Sequence, residues 1–324
     1  MENSVKDKVN ILISSAGKRV SLTKCFMEVL PRFIPGGKVF TCDMNPEMAP
    51  AGYVSDICFK VPRVTDLYYP DLLLKLCLDN HVGMIVPTID TELLLLSEYK
   101  DVFFKHGISI IVANTPFIKV CRDKRNTERF FISHNIRVPK SIDISNPIFP
   151  IFAKPYDGSL SQNIHIIRKP EELTPELASD PKLLFMECID KKIYKEYTVD
   201  MYYGKDNLVK CIIPRERIEV RAGEINKGRT AKNVIVPFLK ERLNYLEGCV
   251  GCICLQLFMN PESGDIVGIE INPRFGGGFP LSYAAGGNFP ELLIKEYFFN
   301  DSVDYFDSWV DNKLMLRYDE AVYV

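Results

Sequence analysis

The strongest constraint on the fold is a change of rhythm along the chain. Up to residue 113, short strand-like apolar runs alternate with helical patterns. Val9-Asn10-Ile11-Leu12-Ile13 reads as a strand running into Ser14-Ser15-Ala16-Gly17, after which Leu22, Phe26, Val29 and Leu30 recur at helical spacing. Residues 38–42 form a second strand ending at Asp43, 67–80 a helix with Leu72, Leu73, Leu76 and Cys77 on one face, and 84–87 a third strand. A helix over 91–105 and a strand over 109–112 complete the series. Such alternation predicts a parallel sheet with right-handed crossovers. From Leu183 the pattern is mostly strand, at 183–187, 195–203, 207–213, 253–259 and 266–271, which predicts antiparallel hairpins in an α+β lobe. A chain of 324 residues exceeds the roughly 250–300 at which one core stops growing, so two or three domains are expected.

Between these regions, Asn114-Thr115-Pro116 signals a helix start, and a helix over 123–134 follows with Asp123 as its cap. Residues 148–155 read as a strand, 156–163 as a loop and 164–167 as another strand. This piece is too small for its own core and is expected to act as a mobile lid. Lys plus Arg number 40 and Asp plus Glu 42, a balance that argues against a nucleic-acid binder. No apolar run reaches the ~18 residues of a membrane span, and the polar start MENSVKDK lacks a signal-peptide core, so a cytoplasmic protein is expected. The ten cysteines read as buried free thiols, because Cys249, Cys252 and Cys254 have no second pair with which to complete a zinc site.

Three polar clusters fall at expected strand ends: 14–19, Asp43, and 87–92. Ligands of open α/β sheets gather at such ends. Neither a dinucleotide fingerprint nor a P-loop is present there, since Gly17 stands alone. The most informative stretch is later. Glu270 and Asn272 lie two apart on a strand and face the same way, while Ile269 and Ile271 face the other. A carboxylate and an amide oxygen on one face, with Arg274 just beyond, make a hard-oxygen site of the kind Mg²⁺ shares with substrate phosphates. A solvated polar strand edge explains the same residues equally well. Gln256 joins that face if it pairs with Glu270, a register that sets Met259 opposite Val267; a one-residue slip sends Gln256 to the other face.

Glu270-Ile-Asn272-Pro-Arg274 after a Gln-bearing strand resembles the metal-binding end of the ATP-grasp superfamily, in particular the carbamoyl-phosphate synthetase large subunit and its single-unit relatives. Further motifs fall in the family's order. Asp123-Lys124 resembles its helix-start pair, Phe152-Ala153-Lys154-Pro155 its phosphate-contacting strand lysine, and Asp157-Gly158-Ser159-Leu160-Ser161 its loop over the phosphates. Met186-Glu187-Cys188-Ile189 resembles the hinge whose backbone holds adenine, and Lys195-Glu196 the segment whose glutamate binds ribose. Arg215 and Arg217 sit where relatives place basic residues near the reacting acid; by themselves, Arg215, Arg217, Glu219 and Arg221 could equally form a salt-bridged solvent face.

The resemblance implies a Rossmann-like lobe over 1–113 followed by a two-lobed ATP-grasp fold, with the first lobe at 114–186, its lid at about 141–186, and the second lobe at 187–324. It implies ATP held by Lys124, Lys154, Gly158, Ser159, Ser161, Glu187, Cys188, Ile189 and Glu196, and Mg²⁺ or Mn²⁺ held by Gln256, Glu270 and Asn272. Arg274, Lys154, Arg215 and Arg217 become the catalytic set. The activity implied is carboxylate–amine ligation of small molecules through an acyl phosphate. A kinase, a carboxyphosphate enzyme and an ATP sensor are the alternatives. Dimers are common in the family, so a homodimer is also an expectation. One ATP-grasp unit further implies one activation per turnover.

Overall fold

A computed structural model describes residues 9–158, 163–221 and 223–324. Among them, strands β1 (Asn10–Ser14), β2 (Val39–Asp43), β3 (Ile57–Lys60), β4 (Val82–Pro87) and β5 (Ser109–Ile110) form a parallel sheet in the order β3-β2-β1-β4-β5. The connections leave β1 in both directions, so the strand order reverses between β1 and β4. Ser14–Arg19 and Pro87–Glu92 flank that crevice, the place where such sheets bind ligands. β1 and β4 are buried throughout, as a parallel sheet covered on both faces requires. β3 was not expected. It is a half-exposed edge strand whose short sequence carries no clear alternation.

Strands β6 (Ile151–Pro155), β7 (His165–Ile167) and β8 (Leu183–Glu187) make a small antiparallel sheet in the order β7-β6-β8. Its core is three buried residues, Ile151, Ala153 and Ile167. The larger sheet has the order β13-β12-β9-β10-β11-β14, from β9 (Lys195–Tyr203), β10 (Val209–Arg221), β11 (Glu224–Thr230), β12 (Gly251–Met259), β13 (Ile266–Asn272) and β14 (Leu314–Leu316). β10 runs eight residues past the expected end at 213. β11 was not foreseen because its alternation is polar.

Period-two alternation sorts the large sheet into two faces. Tyr197, Val199, Met201, Ile253, Leu255 and Leu257 enter a core that continues into Leu12, Phe40 and Ile85 of the parallel sheet. On the opposite face, Tyr202, Cys211, Ile213 and Cys252 pack with Phe275, Phe279 and Phe289, and with Ile11 and Ile13. The parallel lobe and the large sheet thus share two apolar cores. The small sheet is tied down by far less apolar burial. No helix among the described residues is long and apolar enough to cross a membrane.

Candidate active site

A cavity of about 520 Å³ lies between these layers, within the usual range for a small-molecule site. Its floor is the polar half of the second face: Glu196 and Thr198 from β9, Arg215 and Arg217 from β10, Cys254 and Gln256 from β12, Glu270 and Asn272 from β13. Lys154, Asp157 and Gly158 cover it from the small sheet, and Arg19 and Asp90 enter from the ends of the parallel strands.

The metal-ligand candidates share this floor because of register. Gln256 pairs with Glu270, and Cys254 with Asn272. The expected opposition of Met259 to Val267 does not occur: Met259 pairs with Ile266 and Phe258 with Val267. A bulge after Gln256 leaves Ile269 as the extra residue, and it turns into the cavity wall. Asn272 Nδ2 donates to Glu270 Oε1 at 3.1 Å, and Gln256 Nε2 donates to Glu196 Oε1 at 2.7 Å. Both amides therefore direct nitrogen at carboxylates, which turns the Gln256 oxygen toward a cation position, while Asn272 Oδ1 also takes a long 3.4 Å contact from Arg274 Nη2. Three oxygen-bearing side chains on one face fit a hard divalent ion.

Opposite them stand the lysines. Lys154 is only 7% exposed, and burial pulls its pKa down to about 8, with Glu270 the main group resisting the shift. The Lys124 ammonium is also lowered by burial and donates to the Gly158 carbonyl, while its backbone N–H bonds Tyr156 O at 2.9 Å. Asp123 caps the helix Lys124–Ser133 as expected. Two desolvated ammonium groups facing a carboxylate describe a pocket suited to a polyanion. Glu196 is a hub in the cleft: its Oε1 lies 2.8 Å from Arg217 Nε, and its Oε2 accepts from Lys191 at 3.1 Å.

The arginines divide. Arg215 is 1% exposed and paired with Asp200, with Nη2 donating to Oδ1 at 2.9 Å. Its Nε also lies 2.8 Å from Oδ2, but not in line for a hydrogen bond, and Nη1 has no hydrogen-bond partner among the described residues. Ser282 Oγ donates to Asp200 Oδ2 at 2.6 Å. Burial works against the Arg215 charge, yet Asp200 outweighs it and the pKa is raised. Gly276-Gly277-Gly278 passes over this group, and a Cβ on Gly278 would stand 1.9 Å from Arg215 Nη1. Further along β10, Glu219 pairs with Lys227 and Arg221 with Asp319 in solvent. The strand is therefore a site wall at Arg215 and Arg217 and a salt-bridged outer face beyond.

Arg274 is bound to Asp90 in a fork, Nε to Oδ1 at 2.9 Å and Nη2 to Oδ2 at 2.6 Å, and Nη2 also reaches Asn272 Oδ1 at 3.4 Å. The cluster at 87–92 thus supplies a lobe-bridging carboxylate. Arg19, donating to Thr88 O at 3.2 Å, lies 4.0 Å from Glu224, whose carboxyl Arg317 also holds. Sequence reasoning named none of Asp90, Asp200, Glu224 or Ser282 as partners. The glycine run before Ser282 and the aspartate ending Lys195–Asp200 were the available signals. Glu187, Cys188 and Ile189 do not line the large cavity. Ser159 and Ser161 lie outside the described residues.

Two families match parts of the chain: "PylC-like, N-terminal domain" over residues 11–111 and "ATP-grasp in the biosynthetic pathway with Ter operon" over 179–311. The carbamoyl phosphate synthase large chain of Buchnera aphidicola is 24% identical over 282 residues, 77% of this chain and 25% of that one. This chain thus spans about a quarter of that relative's length. Among solved structures, biotin carboxylase from Campylobacter jejuni superposes with a TM-score of 0.71 at 12% identity, covering 96% of this chain and 75% of the other. N5-carboxyaminoimidazole synthetase from Staphylococcus aureus, complexed with ADP, gives 0.67 at 14% identity over 95% and 79%. An L-amino acid ligase from Bacillus licheniformis gives 0.66 at 16% identity over 89% and 74%.

Proposed function

We propose that the chain is an ATP-grasp enzyme, an ATP- and Mg²⁺-dependent carboxylate–amine ligase acting on small molecules; the partial matches to an ATP-grasp family over residues 179–311 and to a PylC-like N-terminal domain over 11–111 support this reading. The observation that carries this reading is the single sheet face on which Glu270 and Asn272 of β13 and Gln256 of β12 stand against the buried Lys154. The residues present fit the implied ion. Mg²⁺ held by Glu270, Asn272 and the Gln256 oxygen would neutralise charge on the ATP phosphates.

An oxygen of the acid's carboxylate attacks the γ-phosphorus, the β–γ bridging P–O bond breaks, and ADP leaves with that electron pair. Lys154 and Lys124 offset charge on the transferred group, where positioning and electrostatics supply most of the catalysis. Arg217, and Arg274 once it turns from its fork with Asp90, hold the acid's oxygens, while the buried Arg215, paired with Asp200, backs that wall of the site. The amine nitrogen then attacks the acyl carbon, phosphate departs with the acyl oxygen, and the nitrogen gives up a proton. Closure of the small sheet and its loop keeps water from the acyl phosphate. The Glu196 hub opens to meet the ribose, and the backbone of Glu187, Cys188 and Ile189 meets the adenine. Gly158, which lines the cavity beside Lys124 and Lys154, faces the phosphates.

The test has two stages. Calorimetry with Mg-ATP, repeated in EDTA, should give metal-dependent binding; its absence would remove the nucleotide reading. A panel of acids, bicarbonate included, is then incubated with Mg-ATP and hydroxylamine. A hydroxamate detected by mass spectrometry marks an acyl phosphate. ADP formed without hydroxamate for any acid would point instead to a kinase or a carboxyphosphate enzyme.

A further inference from the structure

Beside the lysines lies a second, narrow cavity of about 20 Å³. Val138, Leu184, Met186 and Ile269 line it, with Lys124 and Lys154 at its border. One wall is the small sheet and the other is β13. A mainly apolar slot, with the acidic Glu128 in its lining and two cations at its border, suits a heteroaromatic base whose phosphates reach those cations. The slot is too tight for a base as it stands, so its walls must part, and what ties them together sets how far.

The tie is the segment between the helix Lys124–Ser133 and β6. Arg137 O accepts from Gly268 N of β13 at 2.8 Å, and Lys140 O accepts from Glu187 N of β8 at 2.8 Å. The same residue's side chain spans the mouth. Arg137 Nη1 donates to Asp265 Oδ2 at 2.6 Å on the β12–β13 turn, and Nη2 donates to Glu187 Oε1 at the end of β8. Tyr194 OH joins both, accepting from Nη1 at 3.2 Å and donating to Asp265 Oδ2 at 2.8 Å. One guanidinium thus holds two carboxylates, one from the small sheet and one from the β12–β13 turn of the large sheet, that would otherwise repel each other. Its planar fork is suited to such a bridge, where a lysine is a point charge.

We propose that Arg137 is a positioning residue that fixes the geometry of a nucleotide-base slot between the two lobes. It touches neither the phosphates nor the metal face. It holds the Glu187 end of β8 at a set distance from β13, so that the base meets preformed walls and less ordering is left to binding. This rests on the nucleotide reading above.

The test compares calorimetric affinities for Mg-ADP and for Mg-tripolyphosphate, which carries the phosphates without the base. Arg137→Ala should weaken Mg-ADP about fivefold, as loss of a networked charge pair does, and leave Mg-tripolyphosphate within about twofold. Arg137→Lys should fall between, and Asp265→Asn, on an exposed turn, should shift Mg-ADP in the same direction without unfolding the protein. Equal weakening of both ligands would mean general loosening and overturn the proposal. So would unchanged Mg-ADP affinity in Arg137→Ala while the unsubstituted protein binds. If the unsubstituted protein bound no Mg-ADP at all, the nucleotide reading would fall first and this inference with it.

Discussion

Lys154→Met should make the empty protein more stable at neutral pH while removing its hold on nucleotide. The Lys154 side chain is 7% exposed and its pKa is pulled from 10.5 to about 8, chiefly by desolvation. A native pKa below the unfolded one means the unfolded chain binds more protons between those values, so stability rises with pH across that window. The cost of keeping the charge is therefore complete below pH 8 and fades toward pH 10.5. Its full size is about 3 kcal/mol, of which about 2 kcal/mol should be gone by pH ~9.5. Methionine keeps the stem and drops the charge. Urea unfolding of both proteins in EDTA, from neutral to alkaline pH, isolates the effect, because every other titrating group is common to the two. The variant's advantage should shrink steadily as pH rises through 8. A difference that stays flat with pH, or a variant less stable at pH 7, would refute the reasoning. The same variant should bind Mg-ADP more weakly, since the strain is relieved only by an arriving anion.

Glu270→Gln should abolish the Mg²⁺-dependent part of ADP binding and leave a weaker, metal-independent part, read by calorimetry with and without EDTA. Gly278→Ala places a Cβ 1.9 Å from Arg215 Nη1 and should cost about 1–3 kcal/mol in urea unfolding, with Mg-ADP affinity unchanged. Arg215→Met leaves the Asp200 carboxylate buried without its cation and should destabilise by roughly 3–5 kcal/mol, with partial recovery in Arg215→Met/Asp200→Asn. Gly268→Ala should lower the melting temperature, because its Cβ would meet the Phe131 ring at 2.9 Å.

What could be read from sequence was whatever depends on local period. Alternation put Glu270 and Asn272 on one face and brought Gln256 opposite Glu270, and the parallel lobe followed from strand–helix alternation. The bulge at Ile269 was not legible, although Gly268 beside it is the residue that admits Phe131. β11 and β14 escaped notice because they are pinned by pairing with neighbours rather than by an apolar pattern. Two readings of the 215–221 charges competed; Arg215 and Arg217 line the cavity while Glu219 and Arg221 pair in solvent, since burial changes midway along β10. The role of Asp90 depends on a partner 184 residues away, which no local pattern encodes.

The segment that frames the base slot also seals the sheet. β13 is the outermost strand on its side and carries the candidate metal ligands, so a bare edge there would invite a strand from another chain. Arg137 O occupies the Gly268 N–H, and Phe131 packs against the same residue. At the other margin β14 is three residues long, too short to template much pairing despite the exposed Leu314 and Leu316. A chain that folds its large sheet before docking residues 137–141 therefore leaves the β13 edge, with Glu270 and Asn272, open to self-association. One residue thus serves both ends: the Arg137 carbonyl covers the sheet edge, and its guanidinium is the group we propose to set the base slot.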